Sequence, residues 1–117
     1  MISAFSEYTQ ASFRRALFEP KPLGSLTNPR EPNPLRPKHV LRTVRPGRAR
    51  GRLVGGNLTL LTQLLGTPFE VETRGRILFL EDVEEQPYNI DRMLTQLRLA
   101  GTFDGGAGVV WGECSEC

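Results

Sequence analysis

Residues 76–83 read RILFLEDV, in which an unbroken apolar run from Ile77 to Leu80 is followed at once by two carboxylates, Glu81 and Asp82. A short apolar run bounded by charges is typical of a central strand in a parallel sheet, buried on both faces. We therefore predict a central strand here, covered on both faces. Functional side chains collect at the carboxyl end of such strands, and strand alternation predicts that the two carboxylates point to opposite faces.

The residues after this strand predict a helix and a second strand. Residues 89–100 carry apolar side chains at helical spacing, at Ile90, Met93, Leu94 and Leu97. Gly101 follows in the place where glycine commonly ends a helix. Residues 108–111 (GVVW) then favour another strand, which completes a βαβ unit.

The residues before the central strand predict a shorter helix. Gly55 and Gly56 follow a brief apolar run and indicate a turn, because glycine tolerates positive φ. Asn57 is placed as the N-cap of a helix over residues 58–65, whose leucines form one apolar face. Gly66 is expected to end that helix.

The first half of the chain has a different character. Residues 8–18 favour a short helix with Thr9 as its N-cap. Residues 20–50 are rich in proline and arginine and predict an extended, irregular segment, with residues 40–44 as its one strand. A segment of this length without regular structure suggests that it rests on something outside the chain. The remaining residues, 51–117, are expected to form the βα core.

The length and composition of the chain argue against a membrane protein and against a secreted protein. The 117 residues support one small domain. No apolar run reaches the roughly 18 residues of a membrane span, and Glu7, Arg14 and Arg15 stand where a signal peptide would be apolar. Cys114 and Cys117 are too close in sequence to join distant loops. We therefore expect a cytoplasmic protein that is neither secreted nor inserted in a membrane.

Charge divides the chain into two parts. Residues 1–53 hold eleven Lys or Arg and three Glu, whereas residues 54–117 hold four Lys or Arg and ten acids. The basic side chains suggest an alternative function as a nucleic-acid or anion-binding module. The candidate phosphate contacts are Arg30, Arg36, Lys38, Arg42, Arg45, Arg48, Arg50 and Arg52. No nucleic-acid-binding motif or interleaved aromatic residues accompany them, so nucleic acid is not the expected partner.

Four motifs occur in a recognisable order. They are residues 51–61 (GRLVGGNLTLL), 65–68 (LGTP), 76–83 (RILFLEDV) and 87–97 (PYNIDRMLTQL). Together they resemble the LD-carboxypeptidases, the serine peptidase family that includes muramoyltetrapeptide carboxypeptidase and the microcin C immunity peptidase. The resemblance extends to residues 9–17, which look like the helix leading into the second domain of that family, and to residues 108–114.

The resemblance implies a fold and an activity. It implies an α/β domain of the swivelling β/β/α type, as an incomplete C-terminal domain of a two-domain serine peptidase. Such enzymes hydrolyse the amide bond to a terminal D-amino acid in murein-type peptides, without cofactor or metal. The acid of their Ser-His-Glu triad falls on Glu81. The serine and histidine would lie before and after this chain, so the chain alone is expected to be inactive and to need an N-terminal peptidase domain.

Several residues keep a plainer interpretation beside the functional one. Glu81 could be a solvated carboxylate at a strand end, and Asp82 could cap a turn. Gly55, Gly56 and Asn57 could bind substrate or support the site, or could form only a turn and a helix cap. Two further alternatives concern the whole chain: a homodimer, and a non-catalytic subunit that docks on a separate peptidase chain.

The remaining metal-ligand and base candidates are weaker. His39 is the sole histidine, but it lies among prolines and outside the family motifs, so we expect a surface residue. Cys114 and Cys117 form a C-x-x-C without the second pair that a structural zinc site needs. The acidic run that begins at Glu81 has no second cluster to complete a cation site. No metal site is therefore predicted.

Overall fold

The computed structural model describes residues 7–25 and 41–117. The chain divides into two compact units, residues 1–43 and residues 44–117, and each is described by itself. His39 and the first residue of the predicted strand over 40–44 lie outside the described residues, as does much of the proline-rich segment.

The first unit contains helix α1, Glu7–Phe18, which confirms the predicted helix. Thr9 lies in its first turn, so the prediction of Thr9 as N-cap is wrong. None of the residues of α1 is buried. The guanidinium of Arg15 donates a 2.8 Å hydrogen bond to the carbonyl oxygen of Leu23, which holds the chain that follows the helix against its last turn.

The second unit is a three-stranded parallel sheet with two helices. Its elements are β1 (Leu53–Asn57), α2 (Leu58–Gln63), β2 (Ile77–Val83), α3 (Pro87–Leu99) and β3 (Gly108–Ser115). The strand order is β1-β2-β3, so β2 is central, as predicted. The predicted α/β class and the βαβ unit β2-α3-β3 are confirmed. The helix predicted over 89–100 begins two residues earlier, because Pro87 fits the first turn of a helix.

The core of this unit lies on one face of the sheet. Four leucines are fully or almost fully buried: Leu58, Leu78, Leu80 and Leu97. They come from α2, β2 and α3, so both helices pack on the face that carries Leu78 and Leu80. Burial along β2 alternates, and Ile77 and Phe79 on the opposite face are only half-buried. The prediction of a strand covered on both faces is therefore wrong for the described part of the chain, where neither α2 nor α3 covers that second face.

Three local predictions also need correction. Gly55 and Gly56 do not form a turn; they lie within β1 and pair with Phe79 and Leu80. Helix α2 ends at Gln63, not at residue 65, and Leu64 is its C-cap, whose carbonyl accepts a hydrogen bond from the hydroxyl of Thr67. Residues 41–44 form no strand. They are exposed, and none of the described strands pairs with them.

Strand β3 is longer than the predicted 108–111. It continues through Gly112 to Ser115, with an irregularity in its register opposite Leu80 to Asp82. A Cβ placed at Gly112 would lie 2.9 Å from the ring of Phe79 and 3.1 Å from the Cβ of Glu81. The glycine therefore does not end the strand; it leaves room for two β2 side chains on the same face.

Candidate active site

Asp82 is the most strongly anchored carboxylate at the carboxyl end of β2. Only 4 % of the residue is exposed. Its Oδ2 accepts hydrogen bonds from the backbone amide and the hydroxyl of Thr59, at 3.0 and 2.9 Å. Its Oδ1 accepts from the side-chain amide of Asn57 at 3.0 Å and from the backbone amide of Val83 at 2.8 Å. Asp82 thus ties the end of β2 to the first turn of α2, which agrees with the capping role considered from sequence.

These contacts determine the ionisation of Asp82. Burial by itself raises the pKa of this carboxyl group, but hydrogen bonds from Val83, Thr59 and Asn57 outweigh burial and hold the pKa below its ordinary value. The group is therefore ionised at neutral pH, and the charge is stabilised by donors inside the fold.

Glu81 has the opposite surroundings. It follows Phe79 on the face that α2 and α3 leave uncovered, and it is half-buried beside Gly112. Its carboxylate makes no hydrogen bond or ion pair with the described residues. The predicted alternation of the two acids is confirmed: one carboxylate is saturated in the interior, and its neighbour is available at the surface.

The other predicted site residues lie beside these acids, at the carboxyl end of β1. Asn57 caps α2, since its side-chain oxygen accepts from the amide of Leu60 at 3.1 Å while its amide group donates to Asp82. The N-cap prediction is thereby confirmed. Gly55 has φ +121° and lies so close to β2 that a Cβ would collide with the carbonyl of Phe79. A Cβ at Gly56, with φ +152°, would meet nothing within 4 Å, so this glycine borders open space.

Two residues of this region were not found from sequence. Thr59 supplies two of the four hydrogen bonds to Asp82, and Gly112 makes room for the side chain of Glu81. Thr59 carries no local signal, because its partner lies 23 positions away. A glycine inside an apolar strand does indicate a close approach, and that signal at Gly112 could have been used.

A polar cleft lies away from these acids, near the amino end of β2, and is lined in part by Thr73, Arg74, Thr102 and Asp104. In the described ranges, no three His, Cys, Asp or Glu side chains are grouped so as to hold a metal ion. Within the same ranges, no helix is long and apolar enough to cross a membrane.

Comparison of the chain with known protein families gives one match that covers most of the second unit. The family profile described as the LD-carboxypeptidase C-terminal domain matches residues 50–117, which is more than half of the chain. The chain belongs to the LD-carboxypeptidase family. The residues matched include all five elements of the second unit, and the resemblance seen in the four sequence motifs is confirmed.

The chain is also similar to individual members of the LD-carboxypeptidase family, in sequence and in fold. The chain is 56 % identical to a probable murein peptide carboxypeptidase of Bacillus subtilis, over 62 % of this chain and 23 % of that protein. Its fold is similar to muramoyltetrapeptide carboxypeptidase from Oxalobacter formigenes (TM-score 0.54, 45 % identity, 56 % of this chain and 23 % of the other). It is also similar to MccF in complex with glutamyl sulfamoyl guanosine (TM-score 0.56, 31 % identity, 71 % and 27 % covered). The chain spans about a quarter of the length of these relatives.

Proposed function

We propose that this chain is the part of an LD-carboxypeptidase that supplies the acid of a Ser-His-Glu triad, and that the acid is Glu81. The observation that carries the proposal is the contrast between the two adjacent carboxylates. Asp82 already accepts four hydrogen bonds inside the fold, whereas the carboxylate of Glu81 makes none with the described residues. A triad acid must have free oxygen atoms with which to accept from an imidazole.

The position of Glu81 suits that role. It is fixed by the backbone of the central strand, which pairs on both sides with parallel neighbours. The anchored Asp82 next to it holds the end of β2 against α2. A rigid support of this kind is needed because the acid must keep the histidine ring in one orientation.

The chemistry follows from the triad. A serine hydroxyl attacks the scissile carbonyl while the histidine takes its proton, and the negative charge of Glu81 stabilises the imidazolium that results. The carboxylate also keeps the imidazole in the tautomer whose free nitrogen faces the serine. We assign the serine and the histidine to parts of the protein outside this chain, so the 117 residues alone are inactive.

The substrate we propose is a murein-type peptide that ends in a D-amino acid, cleaved in the cytoplasm during recycling of cell-wall peptides. The names of the relatives from Bacillus subtilis and Oxalobacter formigenes support this class of substrate. Gly56 supports the site by leaving open space beside β1, into which a peptide backbone can approach. Gly55 and Asn57 support it by fixing β1 against β2 and by holding Asp82.

The partner we propose is an N-terminal peptidase domain that meets the uncovered face of the sheet. That face carries the half-buried Phe79 next to Glu81, and Val110 of β3, which is 47 % exposed, is its neighbour in register. An apolar surface beside a carboxylate that has no hydrogen-bond or ion-pair partner among the described residues fits an interface at which a catalytic site is completed.

A chimera tests the proposal. Residues 50–117 would replace the matching segment of the Bacillus subtilis relative, and release of D-alanine from a tetrapeptide would be measured. We expect the chimera to be active, and Glu81→Gln to lower kcat by about 10³- to 10⁴-fold, because glutamine carries no charge and favours the wrong tautomer.

Glu84→Gln is the matched control. Glu84 is an exposed acid three positions away, and its removal changes the net charge by the same amount. We expect this variant to keep its activity within about twofold. Equal activity in the two variants, with both folded by circular dichroism, would remove Glu81 from the mechanism.

A further inference from the structure

The two cysteines at the end of β3 are brought together by a local turn. Cys114 lies near the end of the strand, and the chain turns at Glu116, which has φ +61° although it is not glycine. The thiol of Cys117 returns to hydrogen-bond with the thiol of Cys114. The structure has no disulfide between these two cysteines. A non-glycine residue in the left-handed region is uncommon, and here it places two sulfur atoms side by side.

A turn between Cys114 and Cys117 is compatible with the distance that a disulfide requires. A disulfide joins residues whose Cα atoms lie about 4.4 to 6.8 Å apart, and a turn brings residues three positions apart within about 7 Å. The spacing Cys114 to Cys117 therefore permits a bond without unfolding β3.

The two thiols are not equivalent. Cys117 is exposed, whereas Cys114 is half-buried. The pKa of the Cys114 thiol is raised, chiefly by burial and further by the neighbouring Cys117. Hydrogen bonds from the amide of Asp82 and the side chain of Trp111 oppose this rise but do not cancel it. The outer thiol can therefore meet a reagent first, while the inner thiol is held protonated beside it.

We propose that Cys114 and Cys117 form a reactive dithiol that is oxidised to an intramolecular disulfide by exchange with small-molecule disulfides. The Cys117 thiolate attacks one sulfur of the reagent and releases the other half as a thiolate, which leaves a mixed disulfide on Cys117. Cys114 then loses its proton and attacks the sulfur of Cys117, and the second half of the reagent leaves as a thiol. The dithiol is oxidised by two electrons, and the reagent is reduced to two thiols.

The charge beside the pair selects the reagent. Glu116 lies between the two cysteines in sequence and is exposed. Its negative charge repels an anionic disulfide and attracts a cationic one. We therefore expect the site to react faster with cystamine, which carries two ammonium groups, than with oxidised glutathione, which carries a net negative charge.

Mass spectrometry of the intact 117-residue protein tests the proposal. After treatment with cystamine, the wild-type protein should lose two hydrogens and carry no adduct. Cys114→Ser should instead retain one cysteamine, because the resolving thiol is absent. Cys117→Ser should acquire an adduct at least ~10-fold more slowly than Cys114→Ser, because its remaining thiol is half-buried and protonated.

Two further readouts keep the test independent of any damage to the fold in the variants. The single tryptophan, Trp111, hydrogen-bonds to Cys114, so its fluorescence in the wild-type protein should change on oxidation and return with dithiothreitol. The rate with cystamine should exceed that with oxidised glutathione at low salt, and the ratio should shrink as salt is added. A stable mixed disulfide on the wild-type protein, or equal rates with the two reagents at low salt, would overturn the proposal.

Discussion

Replacing Asp82 by asparagine should destabilise the second unit strongly. The carboxylate accepts four hydrogen bonds within 3.0 Å, from Asn57, Thr59 and Val83. Asparagine keeps one oxygen acceptor, but its NH₂ group would face donors in place of the second oxygen. Two of the four hydrogen bonds are then lost.

The size of the effect follows from those bonds. A hydrogen bond to a charged group contributes about 1.5 to 3 kcal/mol, part of which is recovered because the neutral amide costs less to bury. We expect the free energy of unfolding to fall by about 2 to 4 kcal/mol. This is a large share of the roughly 5 to 10 kcal/mol that stabilises a domain of this size.

Urea denaturation followed by circular dichroism measures the loss. Asp91→Asn is the matched control, since Asp91 is an exposed acid on α3 and makes no hydrogen bond or ion pair with the described residues. Thr59→Val should cost about 1 kcal/mol by removing one hydroxyl donor, and it provides a milder variant should Asp82→Asn not fold.

The pH dependence gives an independent check. The pKa of Asp82 is lower in the folded protein than its ordinary value. The ionised group therefore adds to the free energy of unfolding. This contribution is fully present above the unfolded pKa of about 3.9 and is lost as the pH falls through the folded pKa. Below about pH 5, Asp82→Asn should therefore lose stability less steeply than wild type. The reasoning would be refuted if Asp82→Asn and Asp91→Asn had the same free energy of unfolding and the same pH dependence.

Three further outcomes are expected. Gly112→Ala should lower the free energy of unfolding by about 1 to 3 kcal/mol, because its Cβ would lie 2.9 Å from the ring of Phe79. Gly47→Ala is the control and should have little effect, because a Cβ at Gly47 would meet nothing within 4 Å. Equal urea midpoints for the two variants would contradict the packing argument. The 117-residue chain alone should release no D-alanine from a tetrapeptide above a buffer control, and turnover by this chain would show that it needs no further domain. The exposed arginines of residues 42–52 should bind DNA weakly, and the affinity measured by fluorescence anisotropy should fall steeply between about 50 and 200 mM salt. A submicromolar Kd at about 150 mM salt would instead favour a function as a nucleic-acid-binding module.

Local patterns in the sequence predicted most of the fold. Helix α3 could be predicted because its apolar residues Ile90, Met93, Leu94 and Leu97 recur at helical spacing within one short segment. The capping of α2 could be predicted because Asn57 contacts Leu60, only three positions away. Both follow from neighbours along the chain. The alternation of Glu81 and Asp82 is equally local, because it results from the geometry of a single strand.

Features that depend on distant partners were missed. The apolar run in β2 shows that both faces can be buried, but it does not show that α2 and α3 would lie on the same face. The four hydrogen bonds of Asp82 come in part from residues 23 and 25 positions away. The need for glycine at position 112 follows from the register between β2 and β3, which the sequence alone does not specify.

The most direct measurement compares kcat and the thermal midpoint of Glu81→Gln and Asp82→Asn in the active chimera. Glu81→Gln should retain the midpoint of the parent chimera, because the carboxylate of Glu81 makes no hydrogen bond or ion pair with the described residues. It should lose about 10³- to 10⁴-fold in kcat. Asp82→Asn should lower the midpoint by several degrees and, at a temperature where it stays folded, should retain most of its kcat. The reverse result, in which Asp82→Asn abolishes turnover at an unchanged midpoint while Glu81→Gln remains active, would contradict the assignment of Glu81 as the triad acid.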